Sequence, residues 1–239
     1  MTTAHGEAGS TAHSVLLIGA SRGLGLALAT EFCRRGADVT ATIRSHGAQA
    51  LQDATRGAPG HLQIEHVDTT DDGQIRALAD RLAGRTFDLL LINAGTTHDQ
   101  SLTAATIPAD EFARVMITNA LAPLRLLDAL DDVVAPDGTI AVMSSGQGSV
   151  AGNRGGGWEL YRASKAALNQ LMRSYAARQP HPDRTLLLLA PGWVRTDLGG
   201  EGASSSVDEA IPPLVDTVEA QRHRRGLQFL DRNGRPVPW

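Results

Sequence analysis

The chain has 239 residues, 42% of them hydrophobic, with 22 basic against 26 acidic side chains and a formal net charge of −4. That length allows one large domain or two small ones with a sizeable core. The mixed, mildly acidic charge gives neither nucleic acid nor an anionic membrane surface a reason to bind, and the single cysteine, Cys33, excludes an internal disulfide and a cysteine-rich metal site.

No apolar run reaches the roughly 18 residues a bilayer span needs. Residues 1–13 are small and polar, with no basic start and no apolar centre. They predict a disordered tail rather than a signal peptide, and a reducing, cytoplasmic setting. Cys33 falls in an amphipathic pattern and reads as a small core residue. The eight histidines are scattered, so no metal site is expected.

In chain order, Ser14 to Gly19 (SVLLIG) reads as a buried strand. Gly23 to Arg35 follows as an amphipathic helix, with Leu24, Leu28 and Phe32 at four-residue spacing. The turn between them, GASRGLG, carries Gly19, Gly23 and Gly25. Glycines there let the backbone turn sharply and let a phosphate approach the amides at a helix N-terminus. Asp38 to Ile43 is a second strand, rich in β-branched residues. An acidic residue at its end would take ribose hydroxyls, but Ile43 and Arg44 stand there instead. Arg44, together with Arg22 in the glycine turn, would attract a 2′-phosphate.

Leu62 to Val67 alternates apolar and polar residues and ends at Asp68, and Asp71 to Ala83 reads as a helix that opens on acids. Phe87 to Ile92 is a buried strand closed by Asn93-Ala94-Gly95. Strands and helices alternating at these intervals imply parallel βαβ units, whose strand C-termini carry the site. Asp110 to Leu130 is a long helical pattern, and Pro123 should bend it by clashing with the carbonyl of Asn119. That carbonyl then needs another partner, such as water. Thr139 to Ser144 is a fifth strand, followed by a loop with Gly146, Gly148, Gly152 and Gly155 to Gly157.

A helix from about Trp158 to Ala177 carries Tyr161 and Lys165 one turn apart on one face. An ammonium held beside a phenol lowers the phenol pKa, which suits proton exchange near neutral pH. Thr185 to Ala190 is a sixth strand, closed by Pro191-Gly192. Gly199 to Ser206 reads as a flexible link and a lid over the pocket. A helix from Val207 to about Gln221 and a last strand near Gly226 to Leu230 complete the chain.

Taken in order, GASRGLG, Asp68, NAG at Asn93 to Gly95, Asn119, the Ser144-Ser145 pair, YRASK at Tyr161 to Lys165 and PGWVRT at Pro191 to Thr196 resemble the short-chain dehydrogenase/reductase superfamily. YRASKAALN, PGWVRTDLGG and the closing FLDRNGRPVPW look most like its C-factor and Sniffer-type carbonyl reductase branch. The resemblance spans nearly everything after the tail. It implies a single doubly wound α/β Rossmann domain over residues 14–239, with a mainly parallel seven-stranded sheet and a substrate loop near 197–210.

The resemblance also implies an NADP(H)-dependent reductase acting on a small-molecule aldehyde or ketone, or on the alcohol in reverse. Tyr161 would be the general acid/base, Lys165 would bind the nicotinamide ribose, and Asn119 would hold a water that links Lys165 to solvent. Gly19, Ser21, Arg22, Gly23, Leu24 and Gly25 would surround the phosphates. Arg44 would take the 2′-phosphate, Asp68 would face the adenine, and Asn93, Ala94 and Gly95 would line the adenosine side. Pro191, Gly192, Val194 and Thr196 would meet the carboxamide and phosphates.

The serine that polarises the carbonyl is commonly 12 or 13 residues before the tyrosine in this superfamily, which nominates Ser149. Strand position nominates Ser145, the second of the pair, and Ser145 is the reading taken. A homodimer or homotetramer is a further implication, as is an alternative function: a non-catalytic dinucleotide-binding sensor or signalling protein of the C-factor type.

Overall fold

The structure, a computed structural model, describes residues 13–239. All of the expected tail except His13 therefore lies outside the described residues. Seven strands form one sheet: β1 (Ser14–Ile18), β2 (Asp38–Ile43), β3 (His61–His66), β4 (Phe87–Ile92), β5 (Val134–Met143), β6 (Thr185–Ala190) and β7 (Gly226–Asp231). Their order across the sheet is β3-β2-β1-β4-β5-β6-β7, and every pairing is parallel. The helices are α1 (Gly23–Arg34), α2 (Ala48–Ala54), α3 (Asp72–Leu82), α4 (Ala109–Met116), α5 (Ala122–Ala129), α6 (Glu159–Arg178) and α7 (Val207–Ala220).

Side chains alternate across each strand, so one strand feeds two cores. Leu16, Ile18, Leu90, Ile92, Ile140, Val142, Leu186 and Leu188 pack on one face against α3, α5 and α6, through Leu78, Leu127, Leu168 and Met172. Val15, Leu17, Leu89, Leu91, Ala141, Met143, Leu187 and Leu189 pack on the other, against Leu28 and Phe32 of α1 and Leu214 and Val218 of α7. Buried on both faces, these strands read as near-continuous apolar runs, as parallel sheets require.

The order reverses beside β1. The chain winds outward to β3 and then returns to place β4 on β1's free side. In sheets of this kind ligands bind at the strand C-termini beside such a reversal.

Two local features differ from the sequence-based expectation. The 48–54 helix was not legible: it is one short segment with a single buried residue, Leu51, and it has no side-chain cap. β5 begins five residues before Thr139, because its pairing with β4 jumps between Phe87 and Leu89 and the Pro136-Asp137-Gly138 kink hides its start.

Candidate active site

Gly19 follows β1 at φ +89°, and a Cβ there would lie 2.8 Å from the Ala94 backbone. A Cβ on Gly25 would lie 2.0 Å from the Gly19 carbonyl oxygen. The turn is closed from both sides: Gly19 N donates to Thr42 Oγ1 at 3.0 Å, and Asn93 Nδ2 donates to Gly19 O at 2.8 Å. Arg22, at the cap position of α1, gives no side-chain cap to the helix. The first N–H groups of α1 thus keep their polarity for an anion. Ser21 and Leu24 lie within this turn and the start of α1.

The two arginines expected at a 2′-phosphate are exposed and paired. Arg22 Nη1 donates to Asp197 Oδ2 at 2.7 Å, and Arg44 Nη1 lies 3.9 Å from Asp68 Oδ2. Asp68 Oδ1 also accepts from Thr70 N and Oγ1, which fixes the turn after β3.

At the C-termini of β4 and β5 a second group of side chains converges. The expected bend in the long helix is a π-helical turn, Ile117–Leu121, between α4 and α5. Its wider spacing absorbs one extra residue ahead of Pro123 and holds Asn119 wholly buried. Asn119 Oδ1 accepts from Thr96 N at 2.8 Å, while its Nδ2 donates to Thr96 O at 2.9 Å and to Ser164 Oγ at 3.0 Å. Ser164 Oγ donates to Tyr161 O at 2.8 Å, which ties Asn119 to the turn of α6 that carries the tyrosine. A Cβ on Gly95 would stand 3.4 Å from Asn119 Oδ1 and 3.6 Å from Lys165 Nζ, so a glycine leaves this approach open.

Lys165 Nζ is buried and donates to Met143 O at 2.9 Å. Burial pushes its pKa down to about 8. Tyr161 is also buried, and burial pushes its phenol up, with a hydrogen bond from the Ser145 hydroxyl acting the other way. The net direction for the phenol is therefore upward, against the depression expected from the lysine alone. Nζ sits 6.0 Å from the phenol ring centroid and is turned to the end of β5.

The serines separate. Ser144 Oγ donates to Asn169 Oδ1 at 2.6 Å, on the α6 side. Ser145 Oγ accepts from Gln147 N at 3.1 Å, which leaves its own O–H to donate elsewhere. Ser149 Oγ accepts from Gly152 N at 2.9 Å and is buried inside its loop.

Pro191 and Gly192 follow β6. From there to α7 the chain forms a folded strap: Val194 bridges Ser205, Trp193 Nε1 donates to Gly199 O at 2.7 Å, and Gly199 N donates to Thr196 Oγ1 at 3.1 Å. The segment expected to be a flexible link is therefore held by its own hydrogen bonds, and residues 207–210 already belong to α7. The Thr196 methyl carbon lies 3.5 Å from a Cβ placed on Gly23, which brings the strap against the glycine turn.

Residues 19–221 match a family model described as enoyl-(acyl carrier protein) reductase. The chain belongs to the short-chain dehydrogenase/reductase superfamily. Among its relatives is the C-signal of Myxococcus xanthus, 32% identical over 69% of this chain and all of that one. A Burkholderia multivorans protein assigned to the short-chain dehydrogenases/reductases, solved with bound NADP, is 51% identical with a TM-score of 0.91, over 95% of this chain and 100% of that one. A carbonyl reductase from Pseudomonas aeruginosa PAO1 in complex with NADP is 41% identical with a TM-score of 0.85, over 96% and 100% of the two chains.

Within this short-chain dehydrogenase/reductase site, several contributors had escaped the sequence reading. Asn169 continues the Tyr161–Lys165 face by one more turn, a spacing that could have found it. Trp158, at φ 52°, sets its ring edge-on to Tyr161 at 6.0 Å between centroids. Thr96, Ser164 and Asp197 carry no motif of their own. Among the described residues, Thr97 Oγ1, both ring nitrogens of His98 and Gln147 Oε1 are buried without a partner. They belong to the loops that leave β4 and β5, where a ligand would supply partners.

Proposed function

We propose that the protein is an NADPH-dependent reductase that passes hydride to the carbonyl carbon of an aldehyde or ketone. The observation that carries this reading is the convergence of Tyr161, Ser145, Lys165 and Asn119 at the ends of β4 and β5, beside the glycine turn after β1. A phosphate-bearing dinucleotide suits the residues present. Side chains at Gly19 and Gly25 would fill the turn, the α1 N-terminus lacks a side-chain cap, and Lys165 keeps N–H groups beyond the one given to Met143. The cofactor, when bound, supplies the hydride.

In reduction the substrate oxygen gains negative charge as the carbonyl carbon is attacked. Tyr161, kept protonated by its raised pKa, donates its proton to that oxygen. Ser145 donates a hydrogen bond to the same atom and stabilises the charge as it forms. Lys165 directs its remaining N–H groups to ribose hydroxyls. Its charge beside the site favours loss of the phenolic proton at the moment of transfer. Asn119, with its side chain committed to Thr96 and Ser164, offers its backbone in the π-helical turn to a water that leads the proton in from solvent. Arg22 and Arg44 would take the 2′-phosphate, and Asp68 would meet the adenine.

The reading extends to a cytoplasmic enzyme that forms a homo-oligomer through α4, the π-helical turn and α6, where Phe112, Ile117, Leu121 and Leu171 are exposed. No helix among the described residues is long and apolar enough to cross a membrane. Purified protein given NADPH and a panel of aldehydes and ketones tests the central assignment. Carbonyl-dependent NADPH oxidation is expected. Binding without turnover on every member would favour a dinucleotide-binding sensor instead.

A further inference from the structure

The guanidinium of Arg22 is already engaged. Its partner, Asp197, lies 175 positions away in sequence, in the strap between β6 and α7. Both side chains are about three-quarters exposed, 76% and 74%, so neither is forced into the pair by burial. The strap has bonds other than this pair. Besides its internal hydrogen bonds, Arg232 Nη1 donates to Ser205 Oγ at 2.9 Å, which anchors its far end to the turn after β7. With Thr196 packed toward Gly23, the strap carries the Asp197 carboxylate to the mouth of the glycine turn and keeps it there.

A carboxylate and a phosphate are rival partners for one guanidinium, since both accept along its edges. A phosphate on the edge that Asp197 uses must displace it. A phosphate on the other edge lies beside a like charge. In both geometries the carboxylate opposes the phosphate, and it opposes most the ligand with the most charge near Arg22. The contrast with Asp68 is informative, because its Oδ1 is tied into its own turn by Thr70 and it stands 3.9 Å from Arg44. Asp197 has no other side-chain partner among the described residues.

We propose that Asp197 determines cofactor affinity and selectivity: it is an internal anion that holds Arg22 in the free protein and competes with the 2′-phosphate of NADPH for it. The wild-type chain therefore binds NADPH less tightly than its arginines alone would allow, while NADH, which has no 2′-phosphate, feels the competition less. The inference rests on the NADPH reading given above.

The test is a double-mutant cycle in binding, without turnover. Dissociation constants for NADPH and NADH are measured by calorimetry at low ionic strength for the wild type, Asp197→Asn, Arg22→Ala and the double variant. Because the pair is exposed, Asp197→Asn is expected to tighten NADPH by about two- to fivefold, with a clearly smaller change for NADH. The gain should vanish in the Arg22→Ala background and fade near 1 M salt, where screening acts within about 3 Å. An unchanged or weakened NADPH constant, an equal gain for both cofactors, or a gain that survives Arg22→Ala overturns the role of Asp197 and leaves the NADPH preference standing. A wild type that prefers NADH, or binds neither, removes the cofactor reading and this inference together.

Discussion

Lys165 is an ammonium enclosed by protein, with one backbone acceptor and a pKa pushed down to about 8. Above that value the free protein loses the charge that ribose hydroxyls and phosphates would meet. The sign is fixed by the depression: the ammonium is present below pH 8 and lost as pH rises through it. Because kcat/KM for NADPH reports the free enzyme, it is expected to fall as pH rises through about 8. Lys165→Arg, which cannot deprotonate in this range, should lose that descending limb whatever rate it retains. A wild-type profile flat from pH 7 to roughly 9.5 would show that Lys165 does not titrate as burial requires.

Ser145 and Ser149 separate at the same scale. Ser149 spends its oxygen on Gly152 N inside a loop, whereas the Ser145 hydroxyl acts to lower the Tyr161 pKa. Ser145→Ala should lower kcat by ~100-fold or more, with the NADPH dissociation constant unchanged, and Ser149→Ala should act only weakly. The reverse ranking in single-variant kinetics would move the role to Ser149. Spacing and strand position disagree in the sequence, and Ser145 is taken on strand position; counting back from Tyr161 ignores the 3-10 turn Gly146–Gly148 that takes up residues after the strand. The Tyr161–Lys165 pair was legible because helical spacing puts both on one face. Its electrostatics were not, because burial of each group depends on the whole fold.

Among the elements, the glycine turn is tightly constrained. Gly25→Ala places a methyl group 2.0 Å from the Gly19 oxygen. Relieving that overlap is expected to cost about 1–3 kcal/mol, more than the roughly 1 kcal/mol a helix gains from Ala over Gly. Gly146→Ala meets nothing within 4 Å and should leave stability unchanged. Urea unfolding of the two variants checks the contrast, and equal midpoints would mean the turn is looser than described. The strands of the sheet centre were readable from their apolar runs, and the Asn119 segment from its proline. The form of that bend, a π-helical turn, was not, since a proline signals a lost donor but not how the chain re-registers around it. The folded form of the strap was not legible for a related reason: glycines and serines predict a loop, but Trp193, Thr196 and Arg232 supply the bonds that shape it.

For the whole molecule, the parallel sheet with its order reversed beside β1 explains why residues as distant as Gly19, Asn93, Ser145 and Pro191 share one edge. Each ends or follows a strand, and each strand is fixed by cores on both faces. The fold was legible because strand-helix alternation allows few parallel topologies. The partners that tie the edge together, Thr96, Ser164 and Asp197, were not, because they are set by tertiary approach and not by spacing.

In the proposed function, this edge transfers a proton through Tyr161 to a carbonyl oxygen. Its most direct test is Tyr161→Phe, read by NADPH oxidation with a carbonyl that the wild type reduces and by NADPH binding to the same sample. Turnover is expected to disappear while the dissociation constant stays within about twofold of the wild type, since only the transferable proton has been removed. A variant that keeps most of its kcat would contradict it.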